Sequence, residues 1–179
     1  LSNHDVLTYK FRKEVIQALL AEGYRVVITL PYGEKVEEMK AWGCEYIDIP
    51  AFSRHSTSIL RELKLIWGYR KLLKEVKPDF VLAYTIKPNL YGGFVAATLK
   101  IPFGASVTGL GTAVQNKGKL QHLVKFLYKI CLRNACCVFA QNQAIKEFLK
   151  ERKVKGKIVL VAGSGVNLSQ HCFEEYPKE

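Results

Sequence analysis

Two short apolar segments of the chain each end in a polar turn that is followed by a helix signal. Residues 80–84 lead into Thr85-Ile86-Lys87-Pro88-Asn89, and residues 103–107 lead into Thr108-Gly109-Leu110-Gly111. Strand–turn–helix units of this kind predict parallel strands, because a parallel pair needs a long crossover between its members. The carboxyl ends of parallel strands meet at one edge of the sheet, where open α/β proteins bind ligands. We therefore predict an α/β fold with its site at that edge.

The same alternation of elements runs through the rest of the chain. Hydrophobic periodicity and Gly or Pro stops predict helices over residues 10–22, 34–42, 58–77, 89–99, 119–134 and 144–152. Strands are predicted over residues 25–30, 45–49, 80–84, 103–107, 136–141 and 157–161. This order predicts a mostly parallel sheet with helices on both faces. Residues 1–5 are expected to be the end of a first strand and its exit loop, and residues 162–167 a flexible turn between domains.

Positive charge is the one unusual feature of the composition. The 179 residues include 27 Lys and Arg against 16 Asp and Glu, a net charge of +11. Such a surface favours nucleic acid, an anionic membrane leaflet or phosphorylated substrates. The cations are concentrated in residues 58–77 and 117–133, which predicts either docking on anionic lipid or a solvated face. Nucleic acid is disfavoured, since no recognition motif or exposed aromatic platform accompanies the charge.

The cysteine pattern and the apolar segments exclude several classes of protein. Five cysteines without ligand spacing indicate a reducing, cytoplasmic compartment, and the adjacent Cys136 and Cys137 are expected to be buried thiols. No apolar run is long enough for a membrane span. Gly109 and Gly111 only half-match a dinucleotide fingerprint, and a phosphate-loop motif is absent. Without a Ser-His-Asp order or paired carboxylates, a self-contained hydrolase is disfavoured.

Polar residues at the predicted strand ends are the candidates for chemistry. Lys87 lies beside a helix start and suits a phosphate or diphosphate, whereas Asn89 is expected to cap that helix. His4, followed by Asp5, is either a general base, a hydrogen-bond donor or a loop histidine without a task. Residues 108–111 are either a simple tight turn or a place where glycines let a ligand approach the backbone and Thr108 supplies a hydroxyl.

An ordered set of short motifs resembles a known family. Asn3-His4-Asp5, Thr85-Ile86-Lys87-Pro88-Asn89, Val107-Thr108-Gly109-Leu110-Gly111 and Gly163-Ser164-Gly165-Val166-Asn167 together resemble the N-terminal half of a family 4 glycosyltransferase of the GT-B fold. The resemblance is strongest to the bacterial branch that builds capsule, O-antigen and lipid-linked oligosaccharides. One departure is Thr108, where many members of the family have a histidine, so imidazole chemistry is not expected at that position.

The resemblance implies a two-domain enzyme with facing Rossmann-like domains. Residues 1–162 would form the acceptor-binding domain with a shortened first strand, and residues 163–179 the hinge and the start of a linker. A C-terminal donor domain would bind the nucleotide sugar, in most cases a UDP-sugar, and transfer would proceed with retention and without a metal or other cofactor. The acceptor would be a glycan or lipid diphosphate at the inner face of the plasma membrane, where the enzyme would be peripheral. The chain alone would bind but not turn over.

The resemblance also assigns expected roles to individual residues. The catalytic candidates are His4, Asp5 and Thr108; the substrate-binding candidates are Asn3, Arg12, Thr85, Lys87, Asn89, Gly109 and Gly111; the membrane-facing cations are Lys117, Lys119, Lys125 and Lys129; and the hinge glycines are Gly163 and Gly165. Three alternatives remain open: a non-catalytic nucleotide or sugar-phosphate-binding module, a subunit that needs a separate donor-binding partner, and a nucleotide-sugar epimerase of similar shape.

Overall fold

Helices and strands alternate along the chain, as the sequence predicts. The computed structural model describes residues 1–49, 58–110 and 119–165; for residues 119 and 120 it describes the backbone only. The helices are α1 (Asp5–Ala21), α2 (Val36–Ala41), α3 (Ile59–Val76), a π-helix (Pro88–Gly92), α4 (Gly93–Thr98), α5 (Lys119–Cys131) and α6 (Gln143–Glu151). The strands are β1 (Val27–Ile28), β2 (Glu45–Tyr46), β3 (Val81–Tyr84), β4 (Phe103–Val107), β5 (Cys137–Ala140) and β6 (Lys157–Leu160).

The main sheet has four parallel strands in the order β3-β4-β5-β6. All five residues of β4 are buried, because β4 is paired on both sides and lies in the larger hydrophobic cluster. Tyr84 pairs with Ser106, and Val107 with Ala140. The segments after these strands therefore open on one edge, which we call the carboxyl edge, and the opposite one is the amino edge. The predicted parallel sheet is confirmed.

The first residues of the chain connect the main sheet to the β1–β2 pair. The Leu1 nitrogen donates to the Leu82 carbonyl (2.7 Å), and the Leu1 carbonyl accepts from the Tyr84 amide (2.9 Å). On the other side, the Ser2 amide donates to the Thr29 carbonyl (3.0 Å). Residues 1 and 2 thus lie between β1 and β3, in the bonding pattern of a parallel ladder. Later strands extend the sheet in both directions from this point, which makes it a topological switch point.

Two hydrophobic clusters hold the helices against the strands. The larger cluster contains the main sheet and the buried stripe of α3, where Leu65, Tyr69 and Leu72 recur at helical spacing. The smaller cluster includes Ile16 of α1 and Met39 of α2 beside β1. Consequently α1, which follows the first segment, and the π-helix, which follows β3, pack into different clusters. Where two such helices diverge at a switch point, a crevice that can bind a ligand remains between them.

Three element bounds differ from the predicted ones for identifiable reasons. Helix α1 begins at Asp5 rather than at residue 10, because the Thr8 hydroxyl donates to the His4 carbonyl (2.6 Å) and stabilises an additional first turn. Strand β1 has two residues instead of six, since its ladder partner β2 is equally short. The predicted helix over residues 89–99 begins as the π-helix, with Pro88 in its first turn, where a missing amide hydrogen costs nothing.

The expectation that both adjacent thiols are buried is wrong. Cys136 is exposed, because it lies in the turn before β5, while Cys137 at the start of the strand is partly buried. The buried thiol in this part of the chain is Cys131 on α5, where burial raises the pKa to about 11. Among the described helices, none is both long enough and apolar enough to span a membrane.

Candidate functional site

The start of α1 places a histidine and a carboxylate side by side at the carboxyl edge. His4 is the N-terminal cap residue of α1, and its Nδ1 lies 3.1 Å from Oδ1 of Asp5. An ionised carboxylate can only accept, so the proton of a neutral His4 ring lies on Nδ1. The second ring nitrogen, Nε2, is then left as a hydrogen-bond acceptor or proton acceptor. With its side chain 29% exposed, His4 is accessible to a ligand at this edge.

Asp5 is fixed by the turn that follows β1. Its Oδ2 accepts from the Lys35 amide (3.0 Å). Burial alone raises the pKa of Asp5, but hydrogen bonds from the backbone amides of Lys35, Val6 and Asp5 itself outweigh it and hold the pKa below its ordinary value. A Cβ at Gly33 would overlap the carboxylate, so glycine is required there. Both oxygens of Asp5 are engaged, which favours a positioning role for this residue.

Thr85, directly after β3, has a strained backbone. Its φ of +69° lies in the left-handed region, which a β-branched residue rarely adopts. The Thr85 hydroxyl donates to the Tyr84 carbonyl, and the Thr85 carbonyl accepts from the Asn89 amide (3.0 Å). Strain of this kind costs on the order of 1–3 kcal/mol and is concentrated at functional sites. Its position at the switch point therefore supports a ligand site there.

Two buried amide oxygens near Thr85 have no hydrogen-bond partner within the described residues. They are Oδ1 of Asn3 and Oδ1 of Asn89. Asn89 is 1% exposed, and its Nδ2 donates to the Ser106 carbonyl (2.8 Å), which joins the π-helix to β4. The expectation that Asn89 caps a helix is therefore wrong. Buried polar atoms are nearly always satisfied, so an unsatisfied oxygen indicates a place where a ligand or water donates.

Lys87, the cation expected to meet a phosphate, forms an ion pair. Its Nζ lies 2.7 Å from Oε1 of Glu62 on α3, and both side chains are about one-fifth exposed, at 20% and 19%. Burial, together with the charge of Glu62 and a hydrogen bond to it, raises the pKa of the neighbouring Tyr91 to about 12. Because the two side chains are this close and largely buried, the carboxylate of Glu62 balances much of the charge of Lys87. It was not singled out in the sequence, because 25 residues separate the partners.

Arg12 connects α1 to the turn after β6. Its guanidinium lies 4.5 Å from the centroid of the Tyr84 ring, and its Nη1 donates to the Ser164 hydroxyl (3.2 Å). Burial lowers the pKa of this guanidinium, which remains a cation at neutral pH. The flanking Gly163 and Gly165 have φ values of +79° and +75°, which glycine adopts without strain. The predicted hinge glycines therefore lie at the carboxyl edge beside Arg12; that they act as a hinge stays a prediction.

The turn after β4 is open. Thr108 and Gly109 are exposed, and a Cβ at Gly109 would have no neighbour within 4 Å. Gly111 and Lys117 lie outside the described residues, as does the side chain of Lys119. Thr108 and Gly109 are thus accessible on the same edge as His4 and Thr85, which is the arrangement that the sequence predicts.

The expected basic surfaces also expose apolar side chains. On α5, Lys129 is exposed and Lys125 half-buried, whereas Phe126 is 57% exposed. On α3, the exposed apolar residues recur every four positions: Ile59, Leu63 and Trp67, with exposures of 76%, 57% and 66%. Single exposed aromatic residues, Trp67 and Phe126, thus accompany the charge, one on each helix. Among the described residues, no three His, Cys, Asp or Glu side chains come together as a metal site.

The fold and the sequence comparisons agree on the class of protein. The chain has the architecture of one half of a GT-B protein. Over 95% of its length it superposes on 46% of MurG from Acinetobacter baumannii, with a TM-score of 0.59 and 18% identity. Over 91% it superposes on 46% of the UDP-GlcNAc 2-epimerase from Neisseria meningitidis bound to UDP-GlcNAc, with a TM-score of 0.60 and 17% identity. Identities this low establish the fold alone.

The family is shown by sequence. Residues 1–142 match the model of the family described as glycosyl transferase 4-like, and the chain belongs to that family. It is 30% identical over 176 residues to the N,N'-diacetylbacillosaminyl-diphospho-undecaprenol alpha-1,3-N-acetylgalactosaminyltransferase of Campylobacter jejuni. The alignment covers 95% of this chain and 46% of that enzyme. The chain thus spans about half the length of its curated relative, and the predicted family and fold are confirmed.

Proposed function

We propose that the chain is the acceptor-binding half of a retaining glycosyltransferase that moves a sugar from a UDP-sugar to a lipid-diphosphate-linked glycan. The observation that carries the proposal is the similarity, over 95% of the chain, to a transferase whose name specifies a diphospho-undecaprenol acceptor. The polar carboxyl edge supports it, because that edge is where an α/β domain binds its ligand. The donor sugar would be bound mainly by a C-terminal domain of the full-length enzyme.

The chain's own residues would bind and orient the acceptor. With the ring proton on Nδ1 beside Asp5, His4 Nε2 accepts a hydrogen bond or a proton from the acceptor hydroxyl. The unsatisfied oxygen of Asn3 accepts from a further sugar hydroxyl, and that of the deeply buried Asn89 accepts through a bridging water. Lys87, held by Glu62, contributes a positioned cation for the acceptor diphosphate. Thr108 contributes hydrogen bonding rather than proton transfer, because a hydroxyl does not titrate near neutrality.

The acceptor's lipid requires a membrane contact, which we propose is peripheral and on the cytoplasmic side. Exposed apolar residues lie among cations on both α3 and α5, the composition typical of a helix lying in a membrane interface. Each cation near an anionic leaflet contributes about 1 kcal/mol. The net charge of +11 adds long-range attraction.

The test is release of UDP by the full-length enzyme. A panel of UDP-sugars is assayed with and without a lipid-diphosphate glycan, for wild type, Lys87→Ala and the double variant Lys87→Ala/Glu62→Gln. We expect release only with acceptor, which also separates transfer from epimerisation. Release with no acceptor dependence, or none with any donor, contradicts the proposed transfer.

The double variant separates charge balance from acceptor binding at Lys87. Lys87→Ala leaves Glu62 without its partner, and we expect a loss of stability of about 2 kcal/mol together with weaker activity. In the double variant, the Glu62→Gln change removes the unpaired charge, so stability returns. If Lys87 contacts the acceptor, KM stays raised in the double variant. A return of KM to the wild-type value would show that Lys87 only balances Glu62.

A further inference from the structure

A cavity of about 700 Å³ lies at the amino edge, away from the candidate active site. It is formed by α4, by the end of α5 with the turn that follows, and by the turn between α6 and β6. Its lining residues Cys131, Arg133 and Asn134 lie shortly before β5, and Arg152, Lys153 and Lys155 lie shortly before β6, which places it at the start of these strands. The cationic lining residues are Lys129, Arg133, Arg152, Lys153 and Lys155, and no carboxylate is among the described residues that line the cavity.

Most of this charge is not neutralised. Arg152 is paired with Glu151 (2.7 Å) and lies 4.3 Å from the centroid of the Phe148 ring. In the described part of the chain, the other four cations form no ion pair. Several cations around one concave surface raise the local positive potential, which attracts a phosphorylated anion.

The turn between α6 and β6 is built to lie against the end of α5. The Lys155 amide donates to the Arg133 carbonyl (3.2 Å), and a Cβ at Gly156 would collide with the Ala135 carbonyl oxygen. Lys153 ends α6 in the left-handed region, with a φ of +55°, as Lys77 and Lys100 do after α3 and α4. The helix end, the Lys155–Arg133 bond and the required glycine together bring Lys153 and Lys155 beside Arg133.

An apolar stripe leads into the same cavity. Phe94 and Ile130 line it and are 40% and 45% exposed. One and two turns earlier on α5, Phe126 and Leu123 are 57% and 53% exposed on the face of Ile130. A soluble phosphorylated metabolite has no long apolar part that could pack on this stripe, whereas a lipid has an acyl chain that could.

We propose that the cavity binds the headgroup of an anionic phospholipid, with the phosphate among the cations and an acyl chain along Phe94, Ile130 and Phe126. The inference rests on the proposed membrane association and deepens it, because it names the lipid class and the place of contact. Charge complementarity and the adjoining apolar stripe are the two observations behind it. The opposite edge of the sheet stays free for the glycan.

The first test compares three variants that change the net charge equally. Lys153→Glu/Lys155→Glu alters the cavity, Lys64→Glu/Lys74→Glu alters exposed positions on α3, and Lys10→Glu/Lys13→Glu alters α1. Co-sedimentation is measured with phosphatidylcholine vesicles with and without phosphatidylglycerol, and circular dichroism verifies folding. We expect the cavity variant to lose about tenfold or more in partitioning to the anionic vesicles, and the α1 variant to keep wild-type binding.

The outcomes separate this inference from the proposed function. If wild type binds neither kind of vesicle, the membrane association itself is wrong. If wild type binds and the cavity variant binds equally well, the cavity is not the lipid site, and a loss confined to the α3 variant would assign the contact to α3. Equal loss in all three variants would mean that only net charge matters, which also overturns the cavity.

A second measurement distinguishes a lipid from a free phosphate. NMR shifts of the Lys155 and Gly156 amides are followed during titration with short-chain phosphatidylglycerol or with inorganic phosphate. We expect saturable shifts with the lipid at concentrations at least about tenfold lower than with phosphate, and a weakening of the lipid response alone in Phe126→Gln. Equal responses to both ligands, unchanged in Phe126→Gln, would assign the cavity to phosphate anions and refute the lipid.

Discussion

Within the described residues, the cations at the carboxyl edge of the sheet have partners, whereas most of those around the amino-edge cavity form no ion pair. Lys87 is paired with Glu62, and Arg12 lies over the Tyr84 ring and bonds Ser164. At the amino edge, Lys129, Arg133, Lys153 and Lys155 are unpaired within the described residues. A paired cation keeps a fixed position at the expense of net charge, while an unpaired one keeps its long-range attraction. This difference fits a carboxyl edge that selects a ligand and an amino edge that recruits the protein to an anionic surface.

The largest expected effect comes from the histidine of the carboxyl edge. His4→Ala removes the Nε2 acceptor, and a positioned general base contributes about 10²–10⁴-fold. We therefore expect acceptor-dependent UDP release to fall by at least about 10²-fold while vesicle binding stays unchanged, which would separate the two edges. Lys10→Ala, at an exposed position of α1, is the control. Wild-type release by the His4 variant would leave the catalytic assignment without support.

A smaller effect, on stability, is expected at Gly33 of the carboxyl edge and Gly156 of the amino edge, where a side chain would collide with neighbouring atoms. A Cβ at Gly33 overlaps the Asp5 carboxylate, and one at Gly156 collides with the Ala135 carbonyl oxygen, whereas one at Gly109 meets nothing within 4 Å. We expect Gly33→Ala and Gly156→Ala each to lower the free energy of unfolding by about 1–3 kcal/mol, and Gly109→Ala to change it little. Urea denaturation measures all three.

The same glycine variants also test whether the two edges have separate functions. Gly33→Ala should lower UDP release and spare vesicle binding, while Gly156→Ala should lower vesicle binding and, with a detergent-solubilised acceptor, spare UDP release. Loss of both activities in either variant would show that the edges are coupled through the fold rather than independent.

The fold follows from the sequence where local signals and packing agree. Residues 103–107 form β4 with the predicted bounds, since a short run of apolar and small residues fits a strand buried on both faces. The run at residues 25–30 yields only the two-residue β1, because strand length also depends on a partner, and β2 is short. The π-helix was missed, since Pro88 and Asn89 have the composition of a turn.

The site follows from the sequence only in part. Topology alone brings residues 4, 85 and 108 to one edge, so their shared location was predictable from the alternation of elements. The Lys87–Glu62 pair and the contact of Arg12 with Ser164 join segments 25 and 152 residues apart. The cavity likewise combines three separate segments. No local pattern encodes such contacts, because they depend on how the helices pack.

The smallest expected effect is the pH dependence of Asp5, which tests how rigidly the carboxyl edge is built. Because the pKa of Asp5 in the folded state lies below its ordinary value of 3.8, the carboxylate stabilises the fold fully above pH 3.8. That stabilisation is lost as the pH falls from there through the folded-state pKa. The difference in free energy of unfolding between wild type and Asp5→Asn should therefore be constant at neutral pH and shrink below pH 3.8. A difference that does not change with pH would show that the backbone amides hold the neutral amide as well as the carboxylate, and that charge contributes nothing to positioning His4.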